Sequence, residues 1–245
     1  MNRGVIIAGT GTGVGKTVIT SIILTGLRQR GIDAIPMKPV QTGATTTENG
    51  DWLIPDLDYA CRVIGLSPDE ETRSRMAPFC YRNPYSPHLA AEIENREPPN
   101  PERIRKCVEE LLDEAPAVIV ETAGGIMVPL NKNQTNLDLI LLLNMPVILA
   151  ADAGLGTINH TLLSIRVLQD SGVKLLGVIL SETRPVEDKQ ILQDNPGSIC
   201  RFGNMEIMGR VPYVPRIDPG DTRSWHELTG MISGIETLIE ILSGN

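Results

Sequence analysis

Gly9-Thr10-Gly11-Thr12-Gly13-Val14-Gly15-Lys16-Thr17 holds the residue types that a phosphate needs, in one run. Glycines let successive backbone N–H groups converge on an anion without Cβ obstruction, and a helix beginning near Lys16 points its positive dipole end at the same place. In such a loop the lysine ammonium reaches the β- and γ-phosphates, and the Thr17 hydroxyl is offered to the Mg²⁺ that accompanies a nucleotide. The spacing is a variant, because Thr10 stands six residues before Lys16, where the general pattern has its first glycine, and Gly9 lies one residue earlier. A glycine-rich turn without a ligand would use the same residues. The flanks favour phosphate: Val5-Ile6-Ile7-Ala8 is a short apolar run of buried-strand type, and Val18 to Leu24 continues at helical spacing.

Further residues at other strand ends suit the same chemistry. Lys38 follows Ala34-Ile35-Pro36-Met37, a second strand whose proline leaves its place in the sheet open. Ligands bind at the carboxyl edge of parallel α/β sheets, so Lys38 can bring a second ammonium to the phosphates; it reads equally as a solvated lysine before a turn. Asp56 and Asp58 open a helix containing Leu57, Ala60, Val63 and Ile64. Acidic residues there complement the helix dipole, and Asp56 is also of the type that Mg²⁺ takes beside phosphates. Glu121 closes the strand Ala117-Val118-Ile119-Val120 and precedes Thr122-Ala123-Gly124-Gly125, small residues that admit a ligand close to the backbone. A carboxylate ending a buried strand rarely serves packing, and its position and type suit a metal site.

The elements that must position these groups alternate along the chain. The first helix is expected to end near Gly31, and the Thr-rich segment from Ala44 to Pro55 lacks periodicity and reads as a mobile loop. Ser86-Pro87-His88 has the form of a helix start, with His88 either a ligand contact or an ordinary capping residue. Pro101 to Glu114 is a helix burying Ile104, Val108, Leu111 and Leu112. Pro146 to Ala151 is a buried strand feeding Asp152-Ala153-Gly154-Leu155-Gly156-Thr157-Ile158-Asn159-His160 and then a helix, with Thr157 the expected N-cap. Free N–H groups from Gly156 to Asn159 make a second anion-binding helix start, suggesting a carboxylate-bearing substrate, although many such starts bind only water. Leu175 to Ser181 and Met205 to Tyr213 are further strands. One terminal helix is expected from Trp225 to Leu242, with Leu228, Met231, Ile232, Ile235, Leu238 and Ile239 toward the sheet. Residues 185–203 give no clear assignment.

Residues 1–245 are expected to form a single α/β domain of P-loop NTPase-like class, a mostly parallel central sheet with helices on both faces. The net charge of −8 speaks against a nucleic-acid surface. With no signal-like start and no apolar run of membrane-spanning length, a soluble cytoplasmic protein is expected. Cys61, Cys80, Cys107 and Cys200 are scattered without metal-ligand spacing, so reduced packed thiols are expected.

Taken together and in order, the shifted glycine loop through Lys16-Thr17, Lys38-Pro39-Val40-Gln41-Thr42-Gly43, Ser86-Pro87-His88, Glu121-Thr122-Ala123-Gly124-Gly125 and Gly156-Thr157-Ile158-Asn159-His160 resemble the dethiobiotin synthetases. The resemblance runs from the first strand to about Pro215. It implies ATP- and Mg²⁺-dependent ring closure in biotin synthesis, making dethiobiotin from 7,8-diaminononanoate and CO₂ through a carbamate and a carbamic-phosphoric anhydride. It also implies that Lys16, Lys38 and Thr12 are catalytic and that Gly13, Val14, Gly15, Lys16 and Thr17 hold the nucleotide. Ser181, Val211, Pro212 and Val214 would border the base, and Thr17, Asp56 and Glu121 would hold Mg²⁺. Thr12, Lys38, Thr42 and Gly124 would line the substrate site, with Gly156, Thr157 and Asn159 taking the substrate carboxylate across a homodimer interface. Ordering of the segment from Thr42 to Pro55 would shield the anhydride from water.

Two positions depart from the family pattern. Ser181 stands where the family often has asparagine near the base, and Thr122 where it often has glycine. Rival readings are weaker. An amidating ligase of the cobyrinate diamide synthase type normally adds a glutaminase domain, for which this chain leaves no room. A partition or division-site ATPase has a signature lysine where this chain has Gly11. A member that binds nucleotide without turnover would retain the same motifs.

Overall fold

The computed structural model describes residues 3–215 and 217–243. In chain order the first part runs β1 (Gly4–Gly9), α1 (Lys16–Arg28), β2 (Ile35–Met37), β3 (Val40–Gln41), β4 (Thr45–Thr46), β5 (Trp52–Leu53), α2 (Pro55–Val63), α3 (Glu70–Met76), β6 (Phe79–Cys80), α4 (Pro87–Ile93) and α5 (Pro101–Glu114). The second part runs β7 (Val118–Glu121), α6 (Asn136–Leu143), β8 (Val147–Asp152), α7 (Thr157–Asp170), β9 (Leu175–Ser181), α8 (Lys189–Gly203), β10 (Ile207–Val211), α9 (Thr222–Thr229) and α10 (Ile235–Ser243).

Six strands form a parallel sheet in the order β10-β9-β8-β1-β7-β2. Because side chains alternate across a strand, each inner strand feeds two cores. Val5 and Ile7 of β1 pack with Ile19, Ile22 and Ile23 of α1, Trp225 of α9 and Leu238 of α10. Ile6 and Ala8 of the same strand face α5 through α8, meeting Ile104, Val108, Leu139, Ile165 and Ile199. Both faces are covered, so the inner strands are apolar up to their carboxyl ends, where Glu121, Asp152 and Ser181 stand. Pro36, which lacks an N–H for the ladder, sits on the edge strand β2.

Register aligns the functional strand ends. Ile7 pairs with Glu121, Gly9 with Ala150, Asp152 with Ser181, and Ser181 with Val211. Met37 pairs with Val120, which puts the next residues, Lys38 and Glu121, side by side at the same edge.

Several expectations are corrected. The segment from Ala44 to Pro55 is not featureless: β4 and β5 pair antiparallel around Gly50 at φ +90°, and Trp52 lies beneath Arg82 and Arg96. A two-residue pairing is too short to show as periodicity. The terminal helix is broken into α9 and α10 by Gly230 and Gly234, where Ser233 instead bonds the Met208 carbonyl from its N–H (2.6 Å) and its hydroxyl (2.7 Å). Met231 falls in this break and is exposed rather than packed on the sheet. The N-cap of α7 is Gly156 at φ +91°, and Thr157 is its first helical residue, buried with its hydroxyl 3.2 Å from Thr161. Ser86 occupies the expected cap position without a side-chain cap bond.

The unassigned stretch contains α8, whose Asn195 amide donates to the Ala153 and Gly154 carbonyls at 2.9 and 3.2 Å and ties the helix to the turn after β8. All four cysteines are free; Cys61, Cys80 and Cys107 are buried, and Cys200 is exposed. Burial pushes the Cys61 thiol up to about 12, away from thiolate reactivity. No described helix is long and apolar enough to cross a membrane.

Candidate active site

A cavity of about 720 Å³ opens along the carboxyl edge of the sheet, lined at its centre by Gly13, Gly15, Lys16, Thr17, Lys38, Asp56 and Glu121. The loop after β1 delivers the first four. Gly15 is the N-cap of α1 at φ +89°, a left-handed conformation, and a Cβ there would run into the Ser181 side chain. Val14 is buried and does not line the cavity, so its contribution to the loop is through its backbone. Lys16 is buried and donates to the Gly11 carbonyl at 2.7 Å, folded back over its own loop. Burial, and then repulsion from Lys38, pulls its ammonium down to about 8.

Beside it stands a dense polar cluster. Lys38 Nζ lies 2.6 Å from Glu121 Oε1 and 2.8 Å from Asp56 Oδ2, and Lys38 and Glu121 are both buried. The Thr17 hydroxyl sits 3.0 Å from Glu121 Oε1 and 3.1 Å from Asp56 Oδ1. Thr20, one turn along α1, donates to Glu121 Oε2 at 3.0 Å. Burial opposes charge on Lys38, but Glu121 and Asp56 outweigh it and hold the ammonium above its ordinary value. Burial likewise opposes the Asp56 carboxylate, while Lys38 and the Thr17 hydroxyl keep its pKa below the ordinary value. At neutral pH Lys38 and Asp56 are therefore both charged.

Oxygens of Thr17, Asp56 and Glu121 converge, a hard donor set of two carboxylates and a hydroxyl that fits a Mg²⁺ retaining several waters. Among the described residues no group of three or more His, Cys, Asp or Glu side chains could hold a metal, so a richer all-protein cage is not present.

The two ends of the cavity differ in character. On one side are Thr12, Gln41, Thr42, Tyr85, Ser86, Pro87 and Gly124. Gly124 is at φ +70°, and a Cβ there would press on Val128 at 3.0 Å. Its loop is held from behind by the buried Asn136, whose amide donates to the Ala123 and Gly125 carbonyls at 2.6 and 2.8 Å. On the other side are Ser181, Glu182, Thr183, Val211, Pro212, Tyr213, Val214 and Ile217, an apolar slot with polar edges. Thr122 is buried with its hydroxyl turned toward the Ile7 carbonyl (3.5 Å), so the residue packs under β1 and leaves Glu121 in place.

The structure thus brings together every site residue expected from the sequence except Val14, Gly156, Thr157 and Asn159, which do not line this cavity. Residues 43–55 do not line it either, so the expected covering segment stands aside. His88 belongs to a second cavity of about 590 Å³. Sequence reasoning missed Thr20, Gln41, Thr183 and Tyr213. Thr20 had a legible signal, a hydroxyl three residues after Thr17 on the same helix face.

Comparisons with known proteins agree with this site. A family model described as an AAA domain matches residues 3–220. An ATP-dependent dethiobiotin synthetase BioD of Anaeromyxobacter sp. (strain K) is 36% identical over 215 residues, 88% of this chain and 92% of that protein. One from Clostridium perfringens (strain ATCC 13124) is 34% identical over 232 residues, 93% of this chain and 98% of that protein. Among solved structures, the MinC:MinD cell division complex of Aquifex aeolicus matches at TM-score 0.59 with 16% identity, covering 99% of this chain and 96% of that one. The cell division ATPase MinD of Pyrococcus furiosus matches at TM-score 0.56 with 14% identity, covering 99% and 98%. At such identities these show a shared P-loop fold and no more. Identity of a third or more across nine-tenths of the chain carries further, and with the Lys16, Lys38 and Glu121 cluster in place at the sheet edge, the chain belongs to the dethiobiotin synthetase family.

Proposed function

We propose that this enzyme makes dethiobiotin from 7,8-diaminononanoate and CO₂, using ATP and Mg²⁺, by way of a carbamate and a mixed carbamic-phosphoric anhydride. The observation that carries the reading is the Lys38 ammonium, buried between Glu121 and Asp56 at 2.6 and 2.8 Å within the cavity that also holds Lys16. Such a group acts through fixed charge, without reorganisation when negative charge moves.

One substrate amine bonds to the carbon of CO₂ and loses a proton, giving a carbamate. A carbamate oxygen then bonds to the γ-phosphorus of ATP as the bond to ADP breaks. The second amine attacks the anhydride carbon, closing the ureido ring, releasing phosphate and losing its proton. Lys16 and the loop N–H groups from Gly13 to Gly15 hold the phosphates, while Lys38, with Thr12, steadies the carbamate and the moving phosphoryl group. Thr17, Asp56 and Glu121 would hold Mg²⁺, which neutralises phosphate charge when bound. Thr42 and Gly124 border the substrate, and Ser181, Val211, Pro212 and Val214 border the base.

Gly156, Thr157 and Asn159 are proposed to take the substrate carboxylate of the other copy in a homodimer. Their place outside this chain's own cavity supports that reading, as do Leu155 and Leu163 beside them, 81% and 58% exposed. The test is phosphate release from MgATP with bicarbonate as CO₂ source, with and without the diamine, alongside mass detection of dethiobiotin. Diamine-dependent release matched by product is expected; release indifferent to the diamine sinks the reading.

Lys16 adds a pH prediction. Its pKa is about 8 in the free protein, and bound phosphates favour its charged form, so nucleotide binding raises that pKa. Binding at about pH 9 is therefore expected to take up a proton, and at about pH 6.5 Lys16 contributes none. Calorimetry in buffers of different ionisation enthalpy reads this directly, and a buffer-independent enthalpy at the higher pH, or a dependence unaltered in Lys16→Met, would contradict it.

A further inference from the structure

Gln41 ends β3, is 6% exposed and lines the cavity that holds Lys38 and Thr42. Its backbone carbonyl is taken by the Tyr81 N–H at 2.8 Å, which anchors the residue to the chain leaving β6. Its side-chain nitrogen donates to the Thr42 carbonyl at 2.8 Å. A carbonyl only accepts, so the nitrogen must face it and the orientation of the amide is set. That leaves Oε1 buried with no hydrogen-bond partner among the described residues. Buried acceptors without partners are rare because leaving one unpaired is costly, and a residue that lines a cavity can find the missing donor on the molecule bound there.

We propose that Gln41 Oε1 receives an N–H of the substrate diamine and so selects an amine at this end of the cavity, an inference that rests on the dethiobiotin-forming activity above. The chemistry favours a neutral acceptor here. A carboxylate at this position would hold the amine protonated, and an ammonium has no lone pair with which to attack CO₂ or the anhydride carbon. An amide oxygen orients the same N–H without fixing a proton on it, while Lys16 and Lys38 in the same cavity already disfavour an ammonium.

Two substitutions separate this role from a structural one. Gln41→Met keeps most of the volume and removes the acceptor; the diamine KM is expected to rise about tenfold, with kcat and the ATP KM within about twofold of wild type. Gln41→Glu keeps an acceptor but adds charge; its diamine KM is expected to stay near or below that of wild type while kcat falls about tenfold or more. Melting temperatures of both confirm folding. A diamine KM unmoved in Gln41→Met, or diamine and ATP KM values rising together, overturns the role of Gln41 while wild-type dethiobiotin formation stands. Absence of dethiobiotin from the wild-type protein overturns the activity and this inference with it.

Discussion

Lys38→Ala is expected to lower dethiobiotin formation by about a thousandfold or more while leaving MgATP affinity within a few-fold of wild type. Lys38 is 5% exposed, and among the described residues its ammonium is the one positive group directly bonded to Glu121 and Asp56. Lys16 and the loop N–H groups remain to bind phosphates, which is why affinity survives. On the proposed mechanism, what disappears is the positive charge facing the carbamate and the phosphoryl group in flight, where its value is greatest because the site is buried. The variant also leaves two carboxylates close together without their cation, so Asp56 loses the main group that keeps its pKa low. A fluorescent-nucleotide titration and a phosphate-release assay on the same preparation give the two numbers. Turnover within about tenfold of wild type would remove Lys38 from the mechanism.

Glu121→Gln is the second large effect. Glu121 accepts from Thr17 and Thr20 and binds Lys38, so one carboxylate joins the proposed metal set, the first helix and the proposed catalytic lysine. Glutamine preserves size and one carbonyl oxygen but carries no charge, and Mg²⁺ binds neutral amide oxygen far less strongly beside phosphates. The expected result is a fall in kcat of about a hundredfold or more, with the Mg²⁺ midpoint of activity rising about tenfold or more. Weakening a buried ion pair also lowers stability, by about 1–3 kcal/mol here because Asp56 still neutralises Lys38. Magnesium titrations of activity and denaturant unfolding separate the two consequences. A Mg²⁺ midpoint matching wild type would take Glu121 out of the metal set and leave it a structural partner of Lys38.

The site was legible to the extent that its chemistry is local. The glycine loop announces itself because the residues that bind one phosphate are neighbours in the chain, and a loop between a buried strand and a helix can point only one way. Helices such as Pro101–Glu114 were readable from an apolar stripe, and the structure adds the cap, an Asn100 side chain that accepts from the Glu102 and Arg103 N–H groups. The hairpin within residues 44–55 was not, because two-residue strands leave no period to detect. The terminal helix was drawn too long for a different reason. Its apolar spacing continues through Gly230 to Gly234, where Gly234 at φ +84° and the bonds of Ser233 to the Met208 carbonyl interrupt it.

Strand-end carboxylates and lysines, a phosphate loop and an α/β class follow from residue types and spacing alone, because each depends on near neighbours. Which of these groups meet depends on sheet order and register, and those are set by long-range packing of the two cores. Lys38 was an even choice between solvent and site until the pairing of Met37 with Val120 put it against Glu121, 83 positions along the chain. Asp56 gained its role in the same way, from a helix whose first turn lands beside Thr17. The unpartnered oxygen of Gln41 had no trace in the sequence at all. Whether a side chain's hydrogen bonds are satisfied depends on every atom packed around it, and that is decided only when the tertiary structure closes.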